Sequence, residues 1–231
     1  MLTLRNVCDC SLSIAIISHL RLFLQGDAWF VGGLPILVKT AAVCHNEGNV
    51  DVQDFWRGAI FMRKVLVVID IQNDFIDGAL GTEAAQGMLP RLEAKLAREE
   101  ALLVFTQDTH GADYLETQEG KNLPVPHCIK PEKGWEIAPS LKPFVEKASA
   151  VVEKPTFGSL ELPKVIAGLE PDAIELVGLC TDICVIANAM ILKAAFPEVP
   201  VSVDASCCAG VTPESHENAL KAMKMCQVVV R

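Results

Sequence analysis

Two cysteines lie in the segment GLCTDICV, where an apolar run gives way to a predicted helix. The exposed N–H groups and the macrodipole at a helix N-terminus lower the pKa of a thiol and favour the nucleophilic thiolate. The same N–H groups can stabilise an oxyanion, and Thr181 or Asp182 can cap the helix. The segment therefore predicts a nucleophile at Cys180 or Cys184, with a buried structural cysteine as the alternative.

Charged side chains in two other parts of the chain could assist such a nucleophile. Asp70 lies within the run KVLVVIDIQ, and Lys154 ends the run SAVVEK. A carboxylate can accept and return a proton, and an ammonium group can hold thiolate and carboxylate in place. Each side chain alone could equally be a capping or solvated residue, so the prediction depends on their meeting in the fold.

A second set of residues has the chemistry of a metal site. The segments QDTH and PVPHC supply Asp108, His110 and His127. One carboxylate and two imidazoles suit zinc, with iron and manganese as alternatives. Asp108 and His110 are two positions apart, so at a strand end both side chains can point to the same side. A D-x-H pattern is short, and by itself it often has no metal.

The elements that must position these residues alternate between strand and helix. Continuous apolar runs predict strands buried on both faces, and apolar residues at helical spacing predict helices. The predicted strands cover residues 64–72, 101–108, 149–154, 173–179, 199–205 and 227–230. The predicted helices cover residues 83–100, 160–168, 182–196 and 213–225. This alternation predicts an α/β fold of three layers, αβα, with a mostly parallel, doubly wound sheet.

Ligands of such sheets bind outside the carboxyl ends of the strands, so the residues that follow each strand are the candidates. These residues are Asp70, Asp74, Asp108, His110, Lys154, the segment 180–184 and Asp204. The polar stretch from residue 109 to about 139 is long for a loop without structure, which indicates a function or short elements of its own.

Three motifs, VVIDIQNDF, EKPTFGS and VGLCTDICV, occur in this order at three predicted strand ends. With them, residues 63–231 resemble the isochorismatase-like cysteine hydrolases, and among these the nicotinamidases. The resemblance implies that family's fold and its triad. Asp70 would accept and donate protons, Lys154 would orient and balance charge, and Cys184 would be the nucleophile, because the family's nucleophile follows T-D-x.

The resemblance also implies a cis peptide bond between Leu179 and Cys180, which would direct the N–H groups of Cys180 and Cys184 into an oxyanion hole. Isochorismate hydrolases themselves lack the cysteine, so Cys184 indicates amide hydrolysis. Nicotinamidases bind a metal through D-x-H and a later histidine before a cysteine. Such a centre would use a divalent ion, zinc in the first instance. The implied ligands are Asp108, His110, His127 and, as a less secure fourth, Glu119, with Glu116 as the other candidate.

The chain departs from the nicotinamidase pattern in two places. Residues 123–126, LPVP, stand where those enzymes often carry a tryptophan, and Pro131-Glu132 replaces a Gly-Thr pair. The aromatic candidates for substrate contacts are Phe75, Phe157 and Tyr114, and Asp74 and Trp135 are further candidates for the pocket. Gly210 and His216 are interpreted as structural.

The resulting hypothesis is a nicotinamidase that converts nicotinamide to nicotinate and ammonia through a thioester on Cys184. One alternative is a related amide or ureido hydrolase that acts on another small substrate. The other is a catalytically silent metal-binding or interaction protein. Members of the family are often dimers or tetramers, so a homo-oligomer is expected by analogy.

The composition of the chain restricts its possible partners and its cellular location. The 231 residues carry a formal net charge of −9, which argues against nucleic acid as the main partner. Nine cysteines without paired CxxC spacings favour a reducing, cytoplasmic location over a disulfide framework. Residues 1–62 contain neither a clean secretory apolar region nor an apolar run of about 20 residues, so no membrane partner is expected. We predict that residues 1–62 are a non-native or poorly ordered extension, with Met62 as the true start, before a hydrolase domain at 63–231.

Overall fold

The computed structural model describes residues 22–25, 28–31, 34–36 and 62–231. The chain divides into two units, Met1–Phe61 and Met62–Arg231. The backbone described in the first unit forms three strands that pair antiparallel in sequence order. They are β1 (Leu22–Gln25), β2 (Ala28–Val31) and β3 (Leu34–Ile36). The prediction of a non-native or poorly ordered extension falls mainly outside the described residues and stays a prediction.

The second unit is built on a six-stranded sheet in which every pairing is parallel. Its strands are β4 (Lys64–Ile69), β5 (Leu102–Asp108), β6 (Ala150–Lys154), β7 (Ala173–Leu179), β8 (Val201–Ala209) and β9 (Val229–Val230). Their spatial order is β6-β5-β4-β7-β8-β9. The order reverses beside β4, which is the mark of a doubly wound sheet and the place where ligands bind.

Helices cover both faces of this sheet. They are α1 (Asn73–Ile76), α2 (Glu83–Leu96), α3 (Gln118–Asn122), α4 (Lys142–Val145), α5 (Leu162–Ala167), α6 (Ile186–Ala195) and α7 (Pro213–Met225). Side chains alternate along a strand, so β4 directs Leu66 towards Leu92 of α2 and Val67 towards Leu192 of α6. The predicted three-layer α/β fold is confirmed. Among the described residues, no helix has the length and apolar character needed to cross a bilayer.

Two predicted elements are present but differ in bounds or geometry from the prediction. The predicted strand 199–205 is β8, which continues to Ala209 and shifts register against β7. Asp204 therefore lies inside the strand rather than at its carboxyl end, and its carboxylate pairs with Lys95 of α2. The helix predicted from residue 182 begins instead with a π-helical turn, Thr181–Val185, before α6.

Candidate active site

The carboxyl ends of β4, β5 and β6 bring three of the predicted residues together. Lys154 is the last residue of β6 and stands in register with Asp108, the last residue of β5. The chain leaves β4 at Asp70, whose φ of 47° lies in the left-handed region. All three side chains are buried, so their charges must be compensated within the protein.

Lys154 is the cation at the centre of this arrangement. Its Nζ lies 2.7 Å from Asp70 Oδ2, 3.0 Å from Asp108 Oδ1 and 3.5 Å from Cys184 Sγ. It also donates to the carbonyl oxygen of Thr156 at 3.0 Å. One ammonium group thus joins the three residues predicted as a triad. It also contacts Asp108, a link that the sequence did not indicate.

The turn after β7 carries the cysteines. The Leu179–Cys180 peptide bond is cis, as the resemblance implied. Cys180 precedes the π-helical turn, and its carbonyl oxygen accepts from the N–H of Val185 at 3.0 Å. Cys184, in that turn, is only 5% exposed. The segment therefore presents the Cys184 thiol from a buried turn.

Neighbouring segments hold this turn from two sides. Asn188 of α6 is fully buried, and its amide nitrogen donates to the carbonyl oxygens of Cys184 and Phe157 at 2.8 and 3.0 Å. On the other side, His216 Nδ1 lies 2.8 Å from Thr181 Oγ1. Asn188 was missed in the sequence, although a lone amide within the apolar segment VIANAMIL is a signal for a buried polar contact.

The predicted capping role of Thr181 or Asp182 is wrong. No side chain caps the turn, and the Asp182 carboxylate instead accepts from the N–H of Val211. A Cβ at Gly210 would lie 2.8 Å from the Cβ of His216, which agrees with the structural interpretation of both residues. These contacts fasten the turn to the segment between β8 and α7.

The pKa values of the triad differ from the sequence expectation. Burial raises the pKa of the Cys184 thiol well above its usual value, and the Asp70 carboxylate adds to this effect while Lys154 opposes it. Burial likewise raises the pKa of Asp70 against the opposing charge of Lys154. The expected lowering at a helix N-terminus is therefore wrong, because the thiol is buried beside a carboxylate.

Four side chains form the Asp108 cluster, which consists of Asp108, His110, Glu119 and His127. One potential ligand atom from each lies within 4.8 Å of all the others. Asp108 Oδ2 is 3.0 Å from His110 Nε2 and 3.7 Å from His127 Nε2, and Glu119 Oε1 is 3.7 and 3.8 Å from the same nitrogens. Ligands that share one ion at about 2.1 Å are about 3–3.5 Å apart, so these donors are gathered slightly more loosely than around a bound ion, and small side-chain shifts would bring them into range.

Further contacts orient these donors. His127 Nδ1 lies 2.9 Å from the carbonyl oxygen of Val125, which leaves Nε2 available to a metal. Burial raises the pKa of Glu119, and the charge of Asp108 raises it further. Two carboxylates gathered in this way favour a cation between them. Glu116, the other candidate from the sequence, is not part of any such group among the described residues.

The aromatic candidates occupy different positions. Tyr114 is fully buried, its hydroxyl donates to the Leu123 carbonyl oxygen, and its ring centroid lies 4.8 Å from that of His110. The ring centroids of Phe75 and His127 are 5.6 Å apart. Phe157 is 45% exposed. Tyr114 and Phe75 thus pack against the imidazoles.

Asp74 and Trp135 have contacts that account for them without a ligand. Asp74 Oδ2 accepts from the N–H of Cys128 at 2.7 Å, beside the Asp108 cluster. Trp135 Nε1 donates to Thr109 Oγ1 at 2.9 Å, and Lys130 Nζ lies 4.9 Å from the centroid of the Trp135 ring. Both side chains hold the segment between β5 and β6 in place.

Comparison with known proteins finds one family model and several solved structures that this chain resembles. The family model described as "Isochorismatase domain" matches residues 64–231. A nicotinamidase/pyrazinamidase from Bacillus subtilis is 29% identical with a TM-score of 0.63, over 73% of this chain and 99% of that one. A pyrazinamidase of Pyrococcus horikoshii, solved in complex with zinc, is 25% identical with a TM-score of 0.62, over 73% and 98% of the two chains.

A third solved structure shares the fold. It comes from L. infantum, is in complex with nicotinate, and is 21% identical with a TM-score of 0.65, over 74% of this chain and 92% of that one. No curated protein sequence matches the chain.

Proposed function

Since its residues 64–231 match the family model, the chain belongs to the isochorismatase family of hydrolases, and we propose that it is a nicotinamidase-like amidohydrolase. The observation that carries the proposal is the position of Lys154 Nζ, which contacts Asp70, Cys184 and Asp108 at once. It places a thiol and a proton acceptor beside a group of metal donors.

In the proposed first half-reaction, Asp70 accepts the proton of the Cys184 thiol while the sulfur attacks the carboxamide carbon of nicotinamide. The C–S bond forms, and the carbonyl oxygen becomes an oxyanion that the N–H groups of Cys180 and Cys184 stabilise. Asp70 then returns the proton to the leaving nitrogen as the C–N bond breaks, which releases ammonia and leaves a thioester. Lys154 stays protonated and keeps the acid groups in place.

The second half-reaction uses the same residues, with water as the nucleophile and the sulfur of Cys184 as the leaving group. Asp70 removes a proton from a water molecule, whose oxygen attacks the thioester carbon. The C–S bond breaks, the proton held by Asp70 returns to the sulfur of Cys184, and nicotinic acid leaves and loses its proton to solvent as nicotinate. Burial raises the pKa of Asp70, which makes its carboxylate a stronger base towards the Cys184 thiol, although burial raises the pKa of the thiol as well.

The Asp108 cluster would hold the divalent ion, and we propose zinc. When bound, the ion would supply Lewis-acid chemistry for a basic atom of the substrate, and nicotinamide offers its ring nitrogen for this. The zinc complex of the Pyrococcus horikoshii neighbour supports this choice. We assign Phe75, Phe157 and Tyr114 to the substrate end of the site, with Phe157 the most exposed of the three.

One observation favours a second candidate, a hydrolase for another small amide or ureido substrate. Residues 123–126 supply no aromatic ring near the imidazoles, and Trp135 is held by Thr109 and lies against Lys130. A substrate that is not a flat heteroaromatic ring would need no such stacking partner. We retain nicotinamide as the first candidate because of the combined triad and metal donors.

We further propose a cytoplasmic homo-oligomer with a catalytic domain at 63–231 and residues 1–62 as an extension. The six cysteines in residues 62–231 are all unpaired, which supports a reducing compartment. The substrate partner is a small-molecule amide, with no role for nucleic acid or membrane.

The test uses the full-length protein loaded with Zn²⁺ and measures ammonia release from nicotinamide. We expect turnover in the wild type, none in Cys184→Ala, and wild-type turnover in Cys226→Ala, which removes an exposed cysteine. Rapid quenching and intact mass measurement should detect the nicotinoyl thioester only where Cys184 is present. Activity on other small amides but not on nicotinamide would favour the second candidate. Inactivity on an amide panel with metal bound would favour a silent metal-binding protein.

A further inference from the structure

Gln72 follows β4, and its side chain is fully buried. Its amide nitrogen donates to the carbonyl oxygens of Asp108 and Trp135, each at 2.8 Å, and its amide oxygen accepts from the N–H of Asp108 at 2.7 Å. Both amide hydrogens and one lone pair are therefore used. Gln72 belongs neither to the triad nor to the Asp108 cluster, so its complete burial needs an explanation of its own.

The amide of Gln72 takes the place of strand backbone. β4 ends at Ile69, and the contact beyond it joins the N–H of Asp70 to the carbonyl oxygen of Thr106 at 3.3 Å. In a parallel sheet every second residue of a strand directs both its N–H and its C=O to the same neighbouring strand. On β5, Thr106 faces β4 in this way, and Asp108 is the next residue that does. Because β4 has already ended at this level of the sheet, the Gln72 side chain supplies the donor and the acceptor that the Asp108 backbone would otherwise lack.

We propose that Gln72 is a positioning residue for the metal, an inference that rests on the metal centre of the proposed function. By clamping both backbone groups of Asp108, it holds that carboxylate with Oδ1 on Lys154 and Oδ2 beside His110. The carboxylate is shared between an ammonium group and the metal donors, so a shift of its backbone would disturb both contacts. Partners that orient metal ligands typically change metal affinity 10–100-fold when they are removed.

The chain offers a matched control in Gln107. This residue is also buried, and its amide nitrogen donates to the same Trp135 carbonyl oxygen at 2.8 Å, but its side chain makes no hydrogen bond to the backbone of Asp108. Gln72→Met and Gln107→Met each keep the side-chain length and remove the amide. The pair separates the clamp on Asp108 from the attachment of the segment around Trp135.

The experiment strips metal from the full-length wild type and both variants and titrates Zn²⁺ in competition with a chromophoric chelator. We expect Gln72→Met to weaken zinc binding about 10–100-fold, and Gln107→Met to stay within about threefold. The absorption bands of the Co²⁺-loaded protein should shift in Gln72→Met alone, a change that a general loss of stability would not produce.

Equal zinc affinity in the wild type and Gln72→Met would overturn the proposal, as would equal losses in both variants. If Gln72→Met does not fold, Gln72→Glu replaces the donor with a second acceptor at constant size, and wild-type affinity in that variant would also overturn it. The readout is independent of substrate: tight zinc binding without nicotinamide turnover refutes the proposed substrate and leaves Gln72 in its role. A wild type that binds no zinc refutes the metal centre and the role of Gln72 together.

Discussion

Two groups of buried charge in residues 62–231 differ in the ratio of cations to acids. At the candidate site, Lys154 alone serves Asp70, Asp108 and the thiol of Cys184. The Glu175 cluster, which consists of Glu175, Lys64, Lys95, Arg231, Glu99 and Asp204, has the opposite balance around its buried carboxylate. Glu175 of β7 lies 2.8 Å from the Nζ atoms of Lys64 and Lys95 and 3.5 Å from Arg231.

The two balances give opposite pKa shifts. Burial raises the pKa of Glu175, but the hydrogen bonds from Lys64 and Lys95 outweigh burial, so the net pKa is lowered. At the candidate site burial outweighs the charge of Lys154 at Asp70 and Cys184, so their pKa values are raised. At Asp108 the hydrogen bond with His110 and the charge of Lys154 outweigh burial, so its pKa is lowered. The carboxylates of Glu175 and Asp204, whose pKa values are lowered, therefore stay ionised to lower pH than usual, whereas Asp70 and Cys184 keep their protons to higher pH than usual.

The largest effect should follow removal of the one cation at the site. Lys154→Met leaves Asp70 and Asp108 buried without their shared partner. We expect a loss of at least about 10³-fold in kcat/KM, because the triad acts as a unit. The free energy of unfolding should fall by about 3–5 kcal/mol, the cost of breaking a buried ion pair. Ammonia release and urea denaturation measure the two quantities.

The double variant Lys154→Met/Asp70→Asn is the control for this prediction. It removes one orphaned charge together with the ammonium group, so part of the stability should return while activity stays absent. If the single and double variants are equally unstable, the loss does not come from an uncompensated Asp70 carboxylate, and the charge balance described above is wrong for this site.

Removal of the buried acid in the other cluster should affect stability without affecting catalysis. In Glu175→Gln, Lys64 and Lys95 lose their shared carboxylate, but they are 28% and 18% exposed and can turn towards water. We expect a loss of about 2 kcal/mol in unfolding free energy, with kcat/KM within about twofold. Glu161→Gln, which breaks an exposed pair with Lys164, should cost less than about 0.5 kcal/mol. A tenfold loss of activity in a folded Glu175→Gln protein would contradict the separation of the two clusters.

The hydrogen bond from Thr106 to Asp70 is a finer test of the acid-rich site. Thr106 Oγ1 donates to Asp70 Oδ1 at 2.6 Å, which opposes the effect of burial on the pKa of Asp70. Thr106→Val should raise that pKa further, so the acidic limb of the kcat/KM profile should move to higher pH. We expect about a tenfold loss near neutral pH, the value of one hydrogen bond to a charged group. As a control, Ser202→Ala removes a buried hydroxyl from β8 and should leave the acidic limb of the kcat/KM profile at its wild-type pH.

The candidate site was more predictable than the Glu175 cluster for a physical reason. Asp70, Asp108 and Lys154 follow apolar runs, and the carboxyl ends of parallel strands share one edge, so the pattern alone brings them together. Glu175 lies within the apolar run AIELVGL, so the sequence indicates that its charge is buried. The sequence does not indicate which residues pair with it. Lys95 is one of several charged residues on α2, and only the packing of that helix against β8 selects it.

Other features depended on details that periodicity does not encode. Asp204 was misplaced because the apolar run of β8 ends near Ala205 while the strand continues through small and polar residues to Ala209. The raised pKa of Cys184 was missed because a helix N-terminus is visible in sequence but the depth of burial is not. Gln72 lies in the first motif, but its role depends on the point at which β4 ends, which the motif does not show.

The smallest predicted effect lies at alkaline pH in the Glu175 cluster. Burial lowers the pKa of Lys95, but Glu175 and Asp204 outweigh burial and raise it to about 12 from 10.5. Because the folded pKa is the higher one, the ammonium group adds its full stabilisation below pH 10.5 and loses it as the pH rises through about 12. At pH 8 the free energy of unfolding of the wild type should exceed that of Lys95→Met by about 1 kcal/mol. Urea denaturation should show this difference constant up to about pH 10 and shrinking above it. A difference that grows with alkaline pH would mean that burial dominates at Lys95, and the contrast between the two clusters would then fail.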